Sequence, residues 1–538
     1  MDDRTARAAK LTRRGFIGGI AASAAAAILA ACGGSSSPTA TSAPTRAAPT
    51  TAAPITSGAA TTVTTAATRA ATASGSAVSG TAAATTSAAT SVATAGSAVA
   101  ASGPVGTIAP PPPDKFKGQT LTMLSRQEYF MGEQQAFDVE LQTWSKLTGT
   151  SIDNTHINQD QGDFAPRQDA AVKGGSVQDM CYCTGLVSQW QQLGDITDVS
   201  DVVAEIQQAY GPVEDYLKSG LFIDGKWWGI PYYSNVTATF LRKDWLDAKG
   251  IKVADVKTFE NARDVALEIS DPSKNQFGWG ITWNRSGDGN YLITSTLNSY
   301  GGAVYSDDGT KVVFNSPETI AAISFLADIY TNAKYRNMLP PGVNGWTDPS
   351  NNQAWLAGII GFTQNAYTLY AQSKADKNPV YDKTAIIPGV ISPGAEQVIP
   401  NPGYGAFVIF KGAKNPALAK ATAKYMVGGT ALLDIAKQAN GIVMPAYKQQ
   451  WNADPFWTQG DSSFPALRTL IEGPLPIVSK AGYHFPQSPS GAGNAVSSQY
   501  ILPDMMGDIV LKGTKVADAV KAASDRMVQI FQQFGYKQ

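Results

Sequence analysis

Residues 225–245 read GKWWGIPYYSNVTATFLRKDW, which combines a turn, two strand-like runs and a dense set of aromatic rings. Asp224-Gly225 is a tight-turn dipeptide, and Trp227-Trp228-Gly229-Ile230 predicts a short strand that ends at Pro231. After Tyr232, Tyr233, Ser234 and Asn235, the β-branched and aromatic run from Val236 to Leu241 predicts a buried strand. Arg242-Lys243-Asp244 then opens a helix. This strand–turn–strand run ahead of a helix is the stretch around which the rest of the chain is organised.

At 538 residues the chain exceeds one ordinary core, so at least two packed units are expected. Lys and Arg total 42 against 43 Asp and Glu, a balance that gives no electrostatic reason to expect nucleic acid. Two histidines, His156 and His484, and three cysteines are too few and too scattered for a His- or Cys-rich metal site, and no motif calls for a cofactor.

The N-terminus carries processing signals. Thr12-Arg13-Arg14-Gly15-Phe16-Ile17 matches the twin-arginine export consensus, and an Ala-rich apolar run follows to Ala31. Leu29-Ala30-Ala31-Cys32 matches the bacterial lipobox, which implies cleavage before Cys32 and a diacylglyceryl thioether on its sulfur. A single transmembrane anchor is the alternative, but residues 15–31 are short and weakly apolar for a span. Residues 1–31 are therefore expected to be a twin-arginine lipoprotein signal peptide, and Cys32 to anchor an exported protein to the outer face of the cytoplasmic membrane. Residues 32–113 are almost wholly Ala, Thr, Ser, Gly and Pro, with Arg46 and Arg69 as the charges, and cannot build a core. As a flexible tether they would reach on the order of 50 Å, with Pro110 to Pro113 stiffening the end. The composition also permits O-glycosylation.

From Asp114 the character changes. Gln119 to Leu124 predicts a first strand with a polar and aromatic loop, Ser125 to Phe130, at its end, where ligands of open α/β sheets sit. Phe137, Leu141, Trp144 and Thr148 form one helical stripe stopped by Gly149. Ile152 to Asn158 and Val177 to Cys183 predict further strands. Cys181 and Cys183, two apart on one strand, would make a strained bridge and are too few for zinc, which leaves small buried thiols. Thr258 caps a helix, Phe277 to Trp283 predicts a strand, and Ser316-Pro317-Glu318 is a helix start with a capping serine and an acid at the dipole-favoured end.

Several of these segments resemble the family 1 extracellular solute-binding proteins of the maltose-binding type. Residues 225–245 resemble the family's first crossing between lobes; Gly301-Gly302, Asp308-Gly309 and Phe314-Asn315-Ser316-Pro317-Glu318 resemble its "GG…DG…FNSPE" run; Ala354 to Gly361 resembles its "aF..GkaAM" segment. Gln178 stands where the family usually has proline. The resemblance spans Asp114 to Gln538. It implies a two-lobed periplasmic-binding-protein-like fold of type II with a ligand cleft between lobes, each lobe discontinuous: 114–234 with 388–428, and 235–387 with 429–538. Thr384 to Pro388 would be the return crossing. It also implies a receptor that closes on a small-molecule solute, with mono- or oligosaccharide as the expected class, and delivers it to the permease of an ABC importer. Such a receptor is expected to be a monomer and not an enzyme.

The site is expected where strand ends from both lobes converge. From the first lobe these are Gln127, Glu128, Tyr182, Thr184 and Tyr404; from the second, Trp283, Tyr291 and Asn365, with Tyr232 in the floor. The loop of Trp283 and Tyr291 corresponds to one that supplies a stacking ring in maltose-binding relatives, and flat rings suit the C–H faces of sugars. Polyamines and short peptides, bound by relatives, are the alternative solutes. A secreted carbohydrate-active enzyme is the alternative of another class, but Glu128, Asp160, Asp163 and Asp288 form no recognisable carboxylate pair and no Ser-His-Asp arrangement is present.

Overall fold

The computed structural model describes residues 106–108, 110–112, 114–159, 163–387, 401–472, 477–478, 483–485 and 487–538. The export motif at Arg13 and Arg14, Cys32, most of the expected tether, Asp160 and Pro388 lie outside them. No helix among the described residues is long and apolar enough to cross a membrane.

β1 (Thr120–Arg126), β2 (Ser151–Ile157) and β3 (Met180–Cys183) are parallel, with β1 between the other two. They are linked by α1 (Met131–Thr148) and α2 (Phe164–Gly174). α1 buries Phe137, Leu141, Trp144 and Thr148, the stripe that the spacing predicts, and Gly149 ends it at φ 65°. α3 (Val187–Leu193) and α4 (Ser200–Tyr210) follow. Asp224 and Gly225, at φ 52° and 76°, then make a two-residue hairpin turn between Phe222–Ile223 and Lys226–Trp227.

β4 (Ile230–Arg242) runs through the molecule, roughly 43 Å at 3.3 Å per residue. The later strands of the same sheet are β5 (Phe277–Trp279), β6 (Ile360–Ala366), β7 (Thr384–Ile387), β8 (Asn401–Ile409) and β9 (Met444–Pro445). Along its first half β4 pairs antiparallel with β8, which in turn pairs with β3. Along its second half it pairs with β6 and β7, and β6 is parallel to β5. One sheet in the order β2-β1-β3-β8-β4-β6-β5 results, so a single strand carries two sets of neighbours.

The helices after β4 are α5 (Phe259–Glu268), α6 (Gly287–Ser299), α7 (Pro317–Thr331), α8 (Asp348–Leu356), α9 (Thr368–Ala375), α10 (Pro416–Val427), α11 (Ala431–Gln438), α12 (Gly491–Ser498), α13 (Ile501–Lys512) and α14 (Val516–Gln533). Thr258 and Ser316 cap α5 and α7 by accepting the N–H of Asn261 and Thr319, as the sequence predicts. Two apolar clusters form. The first gathers Phe137, Trp144, Trp190, Ile230 and Phe407; the second gathers Trp245, Phe259, Trp279, Leu326, Met505 and Phe531. β4 serves both, with Tyr232 and Phe240 in the first and Leu241 in the second.

Two expectations are corrected. Pro231 does not end a strand. The ladder steps from Tyr233–Gly405 to Pro231–Ala406, so Tyr232 is the extra residue of a bulge, and the proline sits where the ladder is already interrupted. The strand at Phe277 stops at Trp279, short of Trp283. Leu432, Ile435 and Ala436 of α11 are buried in the first cluster, and Ile435 faces the same small space as Phe137. From Ala492 onward, α12, α13 and α14 bury their apolar sides in the second cluster.

Candidate functional site

On the side of the first core, the ends of β1 and β3 and the bulge of β4 bring polar and aromatic side chains together. Arg126 Nη1 donates to Glu128 Oε2 at 2.9 Å, the Tyr182 hydroxyl donates to Glu128 Oε1 at 2.7 Å, and the Tyr233 hydroxyl lies 2.9 Å from that of Tyr182. The bulge allows consecutive Tyr232 and Tyr233 both to be buried, their rings 5.1 Å apart and both edge-on to Tyr182. Glu133, in the first turn of α1, enters the same cluster; burial first and the charge of Glu128 second raise its pKa well above the carboxylate range. Burial likewise raises the Tyr182, Tyr232 and Tyr233 hydroxyls far above their ordinary value, so all three stay protonated and available as donors. His156, on the neighbouring strand, is held by Asp138 at 2.9 Å, and that bond raises its pKa.

The space shared by Arg126, Glu128, Glu133, Tyr182 and Tyr232 is too tight for a water-sized body. Glu128, Tyr182 and Tyr232 are therefore closely packed together, while Gln127 is exposed and Thr184 half-buried. Cys181 and Cys183 are free and buried, which agrees with their reading as small thiols. Tyr404, half-buried, lays its ring against Gly220, where a Cβ would leave it no room.

The N-terminus of α6, a helix of the second core, meets that of α8, whose Ala354 and Trp355 belong to the first. Ser286 caps α6 through the N–H of Gly289 at 2.9 Å, and the Asp348 carboxylate accepts the N–H groups of Gly287 and Asp288 at 3.1 and 2.8 Å. Tyr291 is half-buried one turn into α6, its hydroxyl pKa raised by burial and then by Asp288. Two expected residues are buried with their polar atoms engaged inside the protein. Trp283 is 2 % exposed in the second core, with its indole N–H on Asn344 Oδ1 at 3.0 Å and its ring beside Gly507. Asn365 is buried in β6, where its amide donates to Asn351 and Asn352 at 3.1 and 2.5 Å. The ring that does lie between the cores is Trp346, partly buried and packed against both apolar clusters.

Direct contacts join the two sides. The Tyr129 hydroxyl, on the loop after β1, donates to Asp348 Oδ2 at 3.4 Å. On α12, Asn494 donates to Ser188 Oγ at 2.8 Å and to the Gly185 carbonyl, and a Cβ on Gly491 would stand 3.0 Å from the Ser188 carbonyl oxygen. Gln192 of α3 donates to the Phe534 carbonyl at 3.3 Å. Tyr129, Trp346, Asp348 and Asn494 were not among the residues that the sequence singles out. Tyr129 lies inside the aromatic loop that it does single out, and Trp346 follows the turn-rich Pro340-Pro341-Gly342, but no local pattern links them across more than 200 positions.

An α/β sheet with two cores, one strand common to both, and polar and aromatic residues converging between them defines a solute-binding fold. Residues 127–428, more than half of the chain, match the bacterial extracellular solute-binding protein family, and the chain belongs to it. Solved structures agree on the two-lobed fold. MalE3 of T. maritima with maltose bound aligns with a TM-score of 0.66 at 17 % identity, over 77 % of this chain and all of that one. An Agrobacterium radiobacter solute-binding protein in complex with ribitol gives 0.65 at 17 %, over 77 % and 99 %, and one from Agrobacterium vitis with bound D-mannitol gives 0.62 at 19 %, over 78 % and 100 %. Among curated sequences, the mannitol-binding protein of Pseudomonas aeruginosa is 22 % identical over 182 residues, and an ABC transporter-binding protein of Deinococcus radiodurans 21 % over 234. These alignments span 34 % and 42 % of this chain, and 40 % and 54 % of the relatives' own lengths. Membership of an extracellular family makes this an exported protein.

Proposed function

We propose that the protein is an extracytoplasmic receptor that closes its lobes on a carbohydrate or sugar alcohol and delivers it to an ABC importer. The observation that carries the proposal is the bond from the Tyr129 hydroxyl, on the loop after β1, to Asp348, two residues from Trp346, whose ring packs against both apolar clusters. Rings at Tyr129, Trp346 and Tyr404 offer apolar faces to sugar C–H surfaces, and the Gln127 amide, Thr184 hydroxyl and Asp348 carboxylate offer partners to hydroxyls. Tyr291 completes the set from α6. Trp283 and Asn365 are left out of it, since their polar atoms are already engaged, Trp283 by Asn344 and Asn365 by Asn351 and Asn352. Support for the solute class comes from the structural neighbours, whose bound ligands are maltose, ribitol and D-mannitol.

The anchoring follows from the N-terminal motifs: export through Arg13 and Arg14, lipidation at Cys32, and a single receptor molecule working at the end of its tether. A thermal-shift screen of sugar alcohols, mono- and oligosaccharides, followed by titration calorimetry, tests the solute. At least one is expected to raise the melting temperature and to be recovered chemically unchanged. Stabilisation by polyamines or peptides alone would overturn the carbohydrate assignment, and turnover of the bound sugar would overturn the receptor. Replacing Cys32 by Ser is expected to release the protein from membranes.

A further inference from the structure

The end of the expected tether is not loose. Residues 106–108 and 110–112 adopt no regular secondary structure, yet they lie along a groove formed by α1, α4 and α10 on the first core. The Gly106 N–H donates to the Ala209 carbonyl at 2.8 Å. Ala209 is in the last turn of α4, where carbonyls have no partner within the helix, and its neighbour Tyr210 is satisfied separately by the Gln449 N–H at 3.0 Å. A Cβ on Gly106 would stand 2.8 Å from the Ala209 oxygen, so a side chain would push the strap off the helix end. Two residues on, Ile108 packs against the first apolar cluster, its Cδ1 3.3 Å from where a Cβ on Gly428 would stand. The Lys115 N–H then donates to the Pro112 carbonyl at 3.0 Å and turns the chain towards buried Phe116.

Pro110, Pro111 and Pro112 wall a cavity of about 590 Å³ whose opposite side includes Trp144, Tyr425, Lys420 and Lys424. The two rings stack at 4.9 Å, and the two lysines are already paired with Asp201 at 2.7 Å and Glu205 at 2.5 Å. Those pairs knit α4 to α10 and give the groove a fixed width. Aromatic-lined grooves take proline-rich chains readily, because fixed φ angles leave little backbone entropy to lose.

We propose that this groove is a built seat for the chain's own proline-rich segment, which secures the N-terminal extension to the first core at Gly106 and Ile108. Load on the tether is then borne by the first core, and the second core is the one free to swing. The proposal does not depend on the identity of the solute.

Hydrogen–deuterium exchange on the full-length protein tests it, with a synthetic peptide of residues 104–112 as reference. Amides of residues 106–108 are expected to exchange at least tenfold more slowly in the protein than in the peptide, and Ile108→Asp to return them to the peptide's rate. Exchange at the peptide's rate in the unsubstituted protein would overturn the proposal, and this measurement needs no variant to fold. Protection that persists in Ile108→Asp would overturn the role of the groove. Trypsin gives a second readout: cleavage after exposed Lys115 is expected to be severalfold faster in Ile108→Asp, and equal rates would count against a seat.

Discussion

Replacing Glu214 by Gln is expected to remove a large part of the protein's pH dependence. Glu214 is 1 % exposed, between the end of α4 and β9, with its N–H on the Ala446 carbonyl at 2.9 Å and its Oε1 accepting from the Trp451 indole at 3.2 Å. The nearby cation, Lys448, is bonded to Asp215 at 2.8 Å. Burial pushes the Glu214 carboxyl from its ordinary 4.5 up to about 7, with Lys448 pulling against it and Glu472 adding to it. A raised folded-state pKa means that the folded protein holds a proton that the unfolded chain releases. The stability that Glu214 contributes is therefore fully present below about pH 4.5, is lost as pH rises, and is gone above about pH 7. The difference corresponds to about 3 kcal/mol across the window. Glutamine keeps an oxygen for Trp451 but cannot titrate, so the gap in stability between variant and parent should move by about that amount in the variant's favour between pH 4 and 8. Asp195, pushed from 3.8 up to about 7 by burial and by Asp169, contributes in the same direction and remains in the variant. Urea melts at half-unit pH intervals give the comparison. Parallel curves for parent and Glu214→Gln would refute the reasoning, because a titrating group cannot be removed without changing the slope.

Three further outcomes concern the cleft. Trp346→Ala is expected to weaken solute binding about tenfold, the worth of a ring's stacking and buried area, and to lower stability less than Trp283→Ala, which should cost about 3–5 kcal/mol, as for a truncated core indole. Calorimetry and melting of the two variants distinguish them, and the reverse pattern would return Trp283 to the cleft. Tyr129→Phe removes one hydroxyl contact across the lobes and should lower affinity severalfold, or about 1 kcal/mol, measured by titration; an unchanged affinity would mean that the bond to Asp348 forms without linkage to the solute. Small-angle scattering should give a smaller radius of gyration with saturating solute for the parent but not for Gly491→Val, whose side chain has no room against Ser188.

Much of the fold is legible in the sequence because it rests on local rules. The α1 stripe, the Asp224-Gly225 turn and the caps at Thr258 and Ser316 each follow from a few adjacent residues. Pro231 misled because its effect on a strand depends on what lies opposite, and the Gly405–Ala406 irregularity in β8 is about 170 positions away. The site was legible only in part. Glu128, Tyr182 and Tyr232 sit at strand ends, which sequence locates, and they do meet. Trp283 and Trp346 are both loop tryptophans with similar surroundings in sequence, and only packing against Gly507 or against both cores tells them apart.

The bulge at Tyr232 sets a phase. Side chains along a strand alternate between faces, so one extra residue in β4 exchanges the faces of everything beyond it relative to β8. The same strand continues to Arg242, so the frame chosen at Tyr232 is inherited by the part that pairs with β6 and β7. A one-residue deletion there would leave each core's composition intact and yet present Phe240 and Leu241 to the wrong sides. Evolution can thus trade loops and rings around the cleft freely, but the parity of this one strand is shared property of both lobes, and insertions in it should be tolerated only in compensating pairs.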